Sequence, residues 1–200
     1  EENFNGYLGA TEADTALPDA FARYGIEAES VYGYEKFDAR FDLSKNVNEP
    51  NRFGYVVEID PSDATSTPVK RTALGRFKHE NAACALARDG RVVVYLGDDE
   101  RGEFLYKFVS IGVYVPGADT SKLLDEGQLY VAKFNEDGMG QWLALTPEAT
   151  GMTAAEICIH TRQAGSKVGA TTMDRPEWVA VNPRAIEAYC ALTNNKNRAV

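Results

Sequence analysis

The sequence predicts a mainly β fold, part of a toroid of repeated strand units with helices at its periphery. Two stretches carry that prediction. From Arg76 to Glu100 the chain reads RFKHENAACALARDGRVVVYLGDDE. Glu80 opens a run of small apolar residues, Asp89-Gly90 supplies a turn, and Val92 to Leu96 forms a strongly β-prone second run. A hairpin of these two runs puts Glu80 at the same end as Asp98 and Asp99. From Asp174 a second stretch, DRPEWVAVNPRAIEAYCALTNN, repeats the design. Glu177 opens its apolar run, Asn182-Pro183-Arg184 turns it, and Ala188 to Leu192 leads to Thr193-Asn194-Asn195. Glu80 and Glu177 stand 97 positions apart (177 − 80), and Asp98 and Asn194 stand 96 apart (194 − 98). The same step back from Asp98 reaches Glu1-Glu2-Asn3, a third polar strand end. Equivalent positions of a toroid face a shared channel, so these acids are expected to converge.

The remaining elements follow from periodicity and turn chemistry. Thr11 to Asn51 is long, polar and aromatic-rich; it reads as an insertion with short helices over Pro18 to Tyr24 and Ser30 to Phe37, its aromatics packing it down. Strands are expected at Phe53 to Asp60, Val69 to Phe77, Phe104 to Ser110, Tyr130 to Phe134 and Gln141 to Leu145. Thr153 with Glu156 three residues on is a capping box, so a helix is expected from there to about Gln163, as a peripheral decoration between the two repeats.

Composition excludes several classes. The chain has 200 residues and a net charge of −9, which disfavours nucleic acid and favours cations. There is no membrane-length apolar run. Cys84 and Cys190 sit in apolar strand runs, where small buried thiols are expected, and with Cys158 they give no zinc spacing. No Walker loop, GxSxG, HExxH or EF-hand loop occurs. The chain opens on an acidic tripeptide without methionine and ends just past Asn194-Asn195, which reads as a fragment of a larger closed sheet structure.

The chemistry then lies with the acids. Glu80, Glu177, Asp98, Asp99 and Glu1 or Glu2 offer only hard oxygen, which suits calcium or magnesium and can also hold iron or manganese. Arg175, two residues from Glu177, adds a planar fork able to grip a phosphate beside such cations. An ion pair with Asp174 or Glu177 is the structural alternative for it.

The segments EENFNGY, RFGYVVEIDP, PVKRTALGRFKHE, GRVVVYLGDDE, LYKFVS, LLDEGQLYVAKFN, MDRPEW and YCALTNN together resemble the PhoX-type alkaline phosphatases of bacteria. The resemblance implies a six-bladed β-propeller with calcium and iron in its channel that hydrolyses phosphate monoesters without zinc. It also implies export, hence a periplasmic or extracellular location; a monomer is expected, with no membrane span and, from the charge, no nucleic-acid partner. On it, residues 1–200 are a partial propeller domain truncated at both ends, and 11–51 and 148–172 are insertions. Glu80 and Glu177 are similar to the family's metal-binding carboxylates, Glu1 and Asp98 or Asp99 to further metal-site residues, and Arg175 to its phosphate-binding arginine. The family's EEN follows an iron-ligating cysteine; this chain starts one residue later, so the stretch taken alone is expected to lack a complete cluster. Two other readings use the same acids: a propeller binding calcium for structure alone, and a lactonase-like calcium hydrolase. Neither needs Arg175.

Overall fold

The structure is a computed structural model and describes residues 1–198. It divides into two compact units, Glu1–Gly54 and Tyr55–Val200.

The first unit holds short 3-10 turns instead of α-helices, including Phe4–Tyr7, Asp19–Tyr24 and Tyr34–Lys36. Glu1-Glu2-Asn3 leads directly into the first of these turns. The aromatics expected to pack this stretch divide: Tyr24 joins Phe4, Leu8, Phe21, Ile26, Leu43 and Phe53 in a core of the unit's own, and Phe37 stays exposed. Asp42 is buried beside that core. Its carboxylate accepts the Thr11 and Ser44 amides at 3.1 and 3.0 Å and the Thr11 hydroxyl at 2.6 Å, and Lys45 pairs with it at 3.0 Å. Burial opposes ionisation of Asp42, but these hydrogen bonds together hold the carboxyl well below its ordinary range.

The second unit is built on antiparallel strands. β1 (Val56–Glu58) pairs with β2 (Val69–Arg71). A five-stranded meander follows: β3 (Ala83–Leu86), β4 (Arg91–Gly97), β5 (Leu105–Val113), β6 (Gly127–Phe134) and β7 (Gly140–Ala144), in sequence order. β8 (Pro176–Val181) and β9 (Ala188–Leu192) form a separate hairpin. Both repeat units therefore fold as hairpins. Asp89-Gly90 turns the first: Gly90 has φ +85° and Asp89 accepts the Arg91 amide.

Alternation gives the meander two apolar faces. Val94, Leu96, Tyr106, Phe108, Leu129 and Val131 face one side, where Leu74, Phe77, Ile157 and Ala164 cover them. Leu105 and Ala132 face the other, with Tyr95 and Trp142, and meet Val179 of β8 and Cys190 of β9.

Four expectations need correction. The strand expected over Val69 to Phe77 stops at Arg71 and gives way to a 3-10 turn at Thr72–Leu74, which Gly75 closes at φ +83°, a position where a Cβ would lie 2.9 Å from the Thr161 side chain. The strand expected over Phe53 to Asp60 shrinks to Val56–Glu58. The single helix expected from Thr153 to about Gln163 is two, α2 (Ala154–Ile159, with the expected capping box) and α3 (Thr161–Lys167), broken at His160 with φ −112° and ψ 46°, and a further short helix, α1 (Pro147–Thr150), precedes them. These helices are no decoration, since Ile157, Thr161, Arg162 and Ala164 are buried. Cys84 is exposed: β3 is an edge strand of its sheet, so its apolar run is covered on alternate residues only.

Candidate active site at the paired hairpin ends

The first hairpin closes as the sequence predicts. Beyond β3 and β4, His79 bridges Asp98, and the Asp99 amide donates to the Lys78 carbonyl at 3.0 Å. Glu80 thus lies at the same end as both aspartates, and carboxylate oxygens of Glu80 and Asp99 come within 4.8 Å of each other. The second hairpin is closed likewise, by the Thr193 amide on the Asp174 carbonyl at 2.9 Å.

The two hairpins touch through backbone. Asn81 donates its side-chain amide to the Val179 carbonyl at 2.7 Å and accepts the Val179 amide at 2.9 Å. The residue after Glu80 is therefore clasped to a residue two beyond Glu177. Gly97, the last residue of β4, lets the strands approach: a Cβ there would lie 2.1 Å from the Glu177 carbonyl oxygen.

Adjacent residues of an extended chain point to opposite sides, and Asp98 and Asp99 take different arginines as a result. Asp98 is fully buried, and the Arg162 fork closes on it with Nε at 2.8 Å from Oδ2 and Nη2 at 2.6 Å from Oδ1. Burial pushes the Asp98 carboxyl up and the Arg162 guanidinium opposes that push. Asp99 accepts Nε and Nη2 of Arg175, both at 2.9 Å. The same Nη2 reaches Oε1 of Glu177 at 2.9 Å, and Thr193 donates its hydroxyl to that oxygen at 2.9 Å.

Arg175 is thus set between two carboxylates from different hairpins, Asp99 and Glu177, while its side chain remains 24% exposed. Its backbone has φ 52°, a left-handed conformation that costs an L residue about 1–2 kcal/mol. Asp174, the other partner weighed for it, instead accepts from Asn195 at 2.8 Å and Arg198 at 2.9 Å. Glu1 belongs to the first unit, where its carboxylate accepts the Gly54 amide at 2.8 Å.

Three functional neighbours escaped the sequence reading. Arg162, fully buried, lies on the helical stretch expected to be peripheral and carries no local signal of its own. Lys78, buried, reaches Glu100 at 2.7 Å. His79 stacks on Phe77 at 3.8 Å, and its Nε2 lies 2.9 Å from the Gly75 carbonyl. Burial pushes its imidazole down to about 3, so it is neutral around pH 7. A lone histidine beside Glu80 was the only signal for it. The Cys190 thiol is pushed up to about 11 by burial and stays protonated, which suits packing and not ligation.

A family model described as "Alkaline phosphatase PhoX" matches residues 1–200. A search of the curated proteins finds no match. Among solved structures, Pseudomonas fluorescens PhoX in complex with vanadate, a transition state analogue, is similar at 50% identity with a TM-score of 0.93. The match covers 99% of this chain and 37% of that one, so the chain spans little more than a third of that protein's length. No helix among the described residues is long and apolar enough to cross a membrane.

Proposed function

Because the chain belongs to the PhoX alkaline phosphatase family, we propose that it forms part of a metal-dependent phosphatase that hydrolyses phosphate monoesters, with Arg175 as the phosphate anchor. The observation that carries this reading is the setting of Arg175. Two carboxylates at 2.9 Å fix its guanidinium before any substrate arrives, and the side chain still reaches solvent. A donor held in place in advance stabilises charge developing on a phosphoryl group without reorganisation at the moment of reaction. The vanadate bound by the Pseudomonas fluorescens relative is an oxyanion, a ligand that a guanidinium fork suits.

Glu80, Asp99 and Glu177 would hold the metal, with Glu1 as a further candidate. The donor set is all carboxylate oxygen and fits calcium or iron, the ions the family resemblance implies. Asp98 is the weaker candidate of the aspartate pair, since it is fully buried against Arg162, whereas a carboxylate oxygen of Asp99 comes within 4.8 Å of one of Glu80. Bound metal would supply Lewis-acid polarisation and neutralise the clustered acids. The chain's own residues bind and orient: Arg175 grips phosphoryl oxygens, Asp99 and Glu177 aim its fork, and Thr193 steadies Glu177. The hairpin repeat, with polar ends gathered at one place, supports placing the chain within a six-bladed propeller in the intact protein, with residues 11–51 and 148–172 inserted in it. The same family membership supports a monomer exported to the periplasm or beyond.

Arg175→Lys in the intact protein tests the anchor. Lysine keeps the charge and loses the fork. Metal content should be unchanged, while kcat/KM falls about 10- to 1000-fold, equivalent to about 1.4–4 kcal/mol of transition-state stabilisation. A folded, metal-loaded variant with wild-type kcat/KM removes Arg175 from phosphate binding.

A further inference from the structure

We infer that Arg162, on a helix outside both hairpins, is a positioning residue that holds the Arg175 fork in place through the loop between β4 and β5. Arg162 is 1% exposed and grips that loop near both ends. At the start its Nε and Nη2 close on Asp98, whose Oδ1 also accepts the Lys78 amide at 3.3 Å. At the far end its Nε lies 3.9 Å from Oε1 of Glu103, itself buried.

Two of the ties that orient Arg175 hang on the loop so held, beside the contact with Glu177 on β8. Asp99, the next residue after Asp98, receives Nε and Nη2 of Arg175 on its two oxygens. The backbone leading to Arg175 is tied to the loop's other end: the Gly102 amide donates to the Met173 carbonyl and the Met173 amide to the Glu103 carbonyl, each at 2.9 Å. Arg101 also bridges Asp174. The loop therefore fixes Arg175 twice, by side chain and by main chain, and Arg162 is the buried cation that faces two of the loop's three buried acids, Asp98 and Glu103.

Arg162 is itself firmly seated. The Thr161 hydroxyl accepts the Arg76 amide at 2.9 Å, Arg76 Nη1 donates to the Ile159 carbonyl at 3.2 Å, and at Gly165 a Cβ would lie 2.9 Å from the Phe104 ring. A helix docked this closely gives the arginine a fixed origin. Replacing the fork by a point charge would let the loop shift by a fraction of an ångström, and displacement on that scale degrades a prearranged site.

The kinetic consequence rests on the phosphatase reading above, so the test has a second readout that does not. In the intact, metal-loaded protein, Arg162→Lys is compared with wild type and with Arg71→Lys. Arg71 is a buried arginine paired with Glu58 at 2.6 Å and Asp125 at 2.9 Å, away from the loop. The rate of phenylglyoxal modification at Arg175 is followed by peptide mass spectrometry, beside KM, kcat and inhibition by vanadate.

Arg162→Lys should speed Arg175 modification several-fold and raise KM and the vanadate inhibition constant roughly 10- to 100-fold. Arg71→Lys should lower Tm and leave those quantities at wild-type values. If Arg162→Lys matches Arg71→Lys at Arg175, the inference is overturned. Faster modification with wild-type KM and vanadate inhibition upholds the positioning and instead sinks the phosphate-anchor role. Should Arg162→Lys not fold, Asp98→Asn with Arg162→Gln removes both charges and keeps amide hydrogen bonding. Wild-type modification of Arg175 in that double variant also overturns the inference.

Discussion

Asp98 and Asp99 differ only in the side of the strand end they face, and that difference sends one to an internal arginine and the other to an exposed one. Glu177 illustrates the same dependence of role on surroundings. It shares one oxygen between Arg175 and Thr193. Glu177→Gln replaces a hard anionic donor by an amide, so metal content and turnover should fall together, by metal analysis and phosphatase assay on one preparation. Full retention of both would remove its ligand role. Asp42 makes a prediction for the first unit alone. Its folded-state pKa is depressed, so its contribution is fully present above the ordinary value of 3.8 and is lost as pH falls through the lower folded value. Asp42→Asn should destabilise the unit at pH 7 by about 1–3 kcal/mol, since a buried acceptor set is lost. The variant's Tm should also depend less on pH below about 4 than wild type, as a thermal-melt series would show.

At the scale of elements, the contact between the hairpins is narrow and specific. Gly97→Ala places a methyl carbon against the Glu177 and Pro176 carbonyl oxygens at 2.1 and 2.6 Å, and backbone cannot step aside as a flexible side chain can. Overpacking of this type costs about 1–3 kcal/mol, and here it should also cut kcat/KM by moving Glu177. A variant with normal Tm and normal kinetics would show that the hairpins have slack. The hairpins themselves were legible because their signals are local: period-two apolar runs, Asp-Gly at one turn, Asn-Pro at the other. The meander was legible for the same reason. What escaped depends on partners far along the chain. The turn after Arg71 closes on Gly75, where the chain passes too near Thr161 for a side chain, and Arg162 is buried against Asp98, 64 positions away. Charge pattern within one helix carries neither fact. Arg175 and Glu177 could be singled out beside one another, but not the fork with Asp99, whose 76-position separation only the fold closes.

For the whole molecule, a net charge of −9 and acids gathered at one hairpin end make cations part of the stability balance. A metal that binds only the folded state raises its stability by RT ln(1 + [L]/Kd), about 2.7 kcal/mol at a hundredfold excess over Kd. Chelation should therefore lower Tm, restoration of calcium should raise it again, and Glu177→Gln should blunt both shifts. A Tm indifferent to chelator in a metal-containing preparation would argue against carboxylate-held metal at this site. The Asn81 clasp on Val179 also sets an order of events. Glu80 and Asp99 come together within one short hairpin, a local closure that a growing chain can complete early. Arg175 and Glu177 join them only across a span of 98 residues, after the second hairpin exists. Two of the acids thus stand side by side before the arginine that bridges Asp99 to Glu177 has joined the chain.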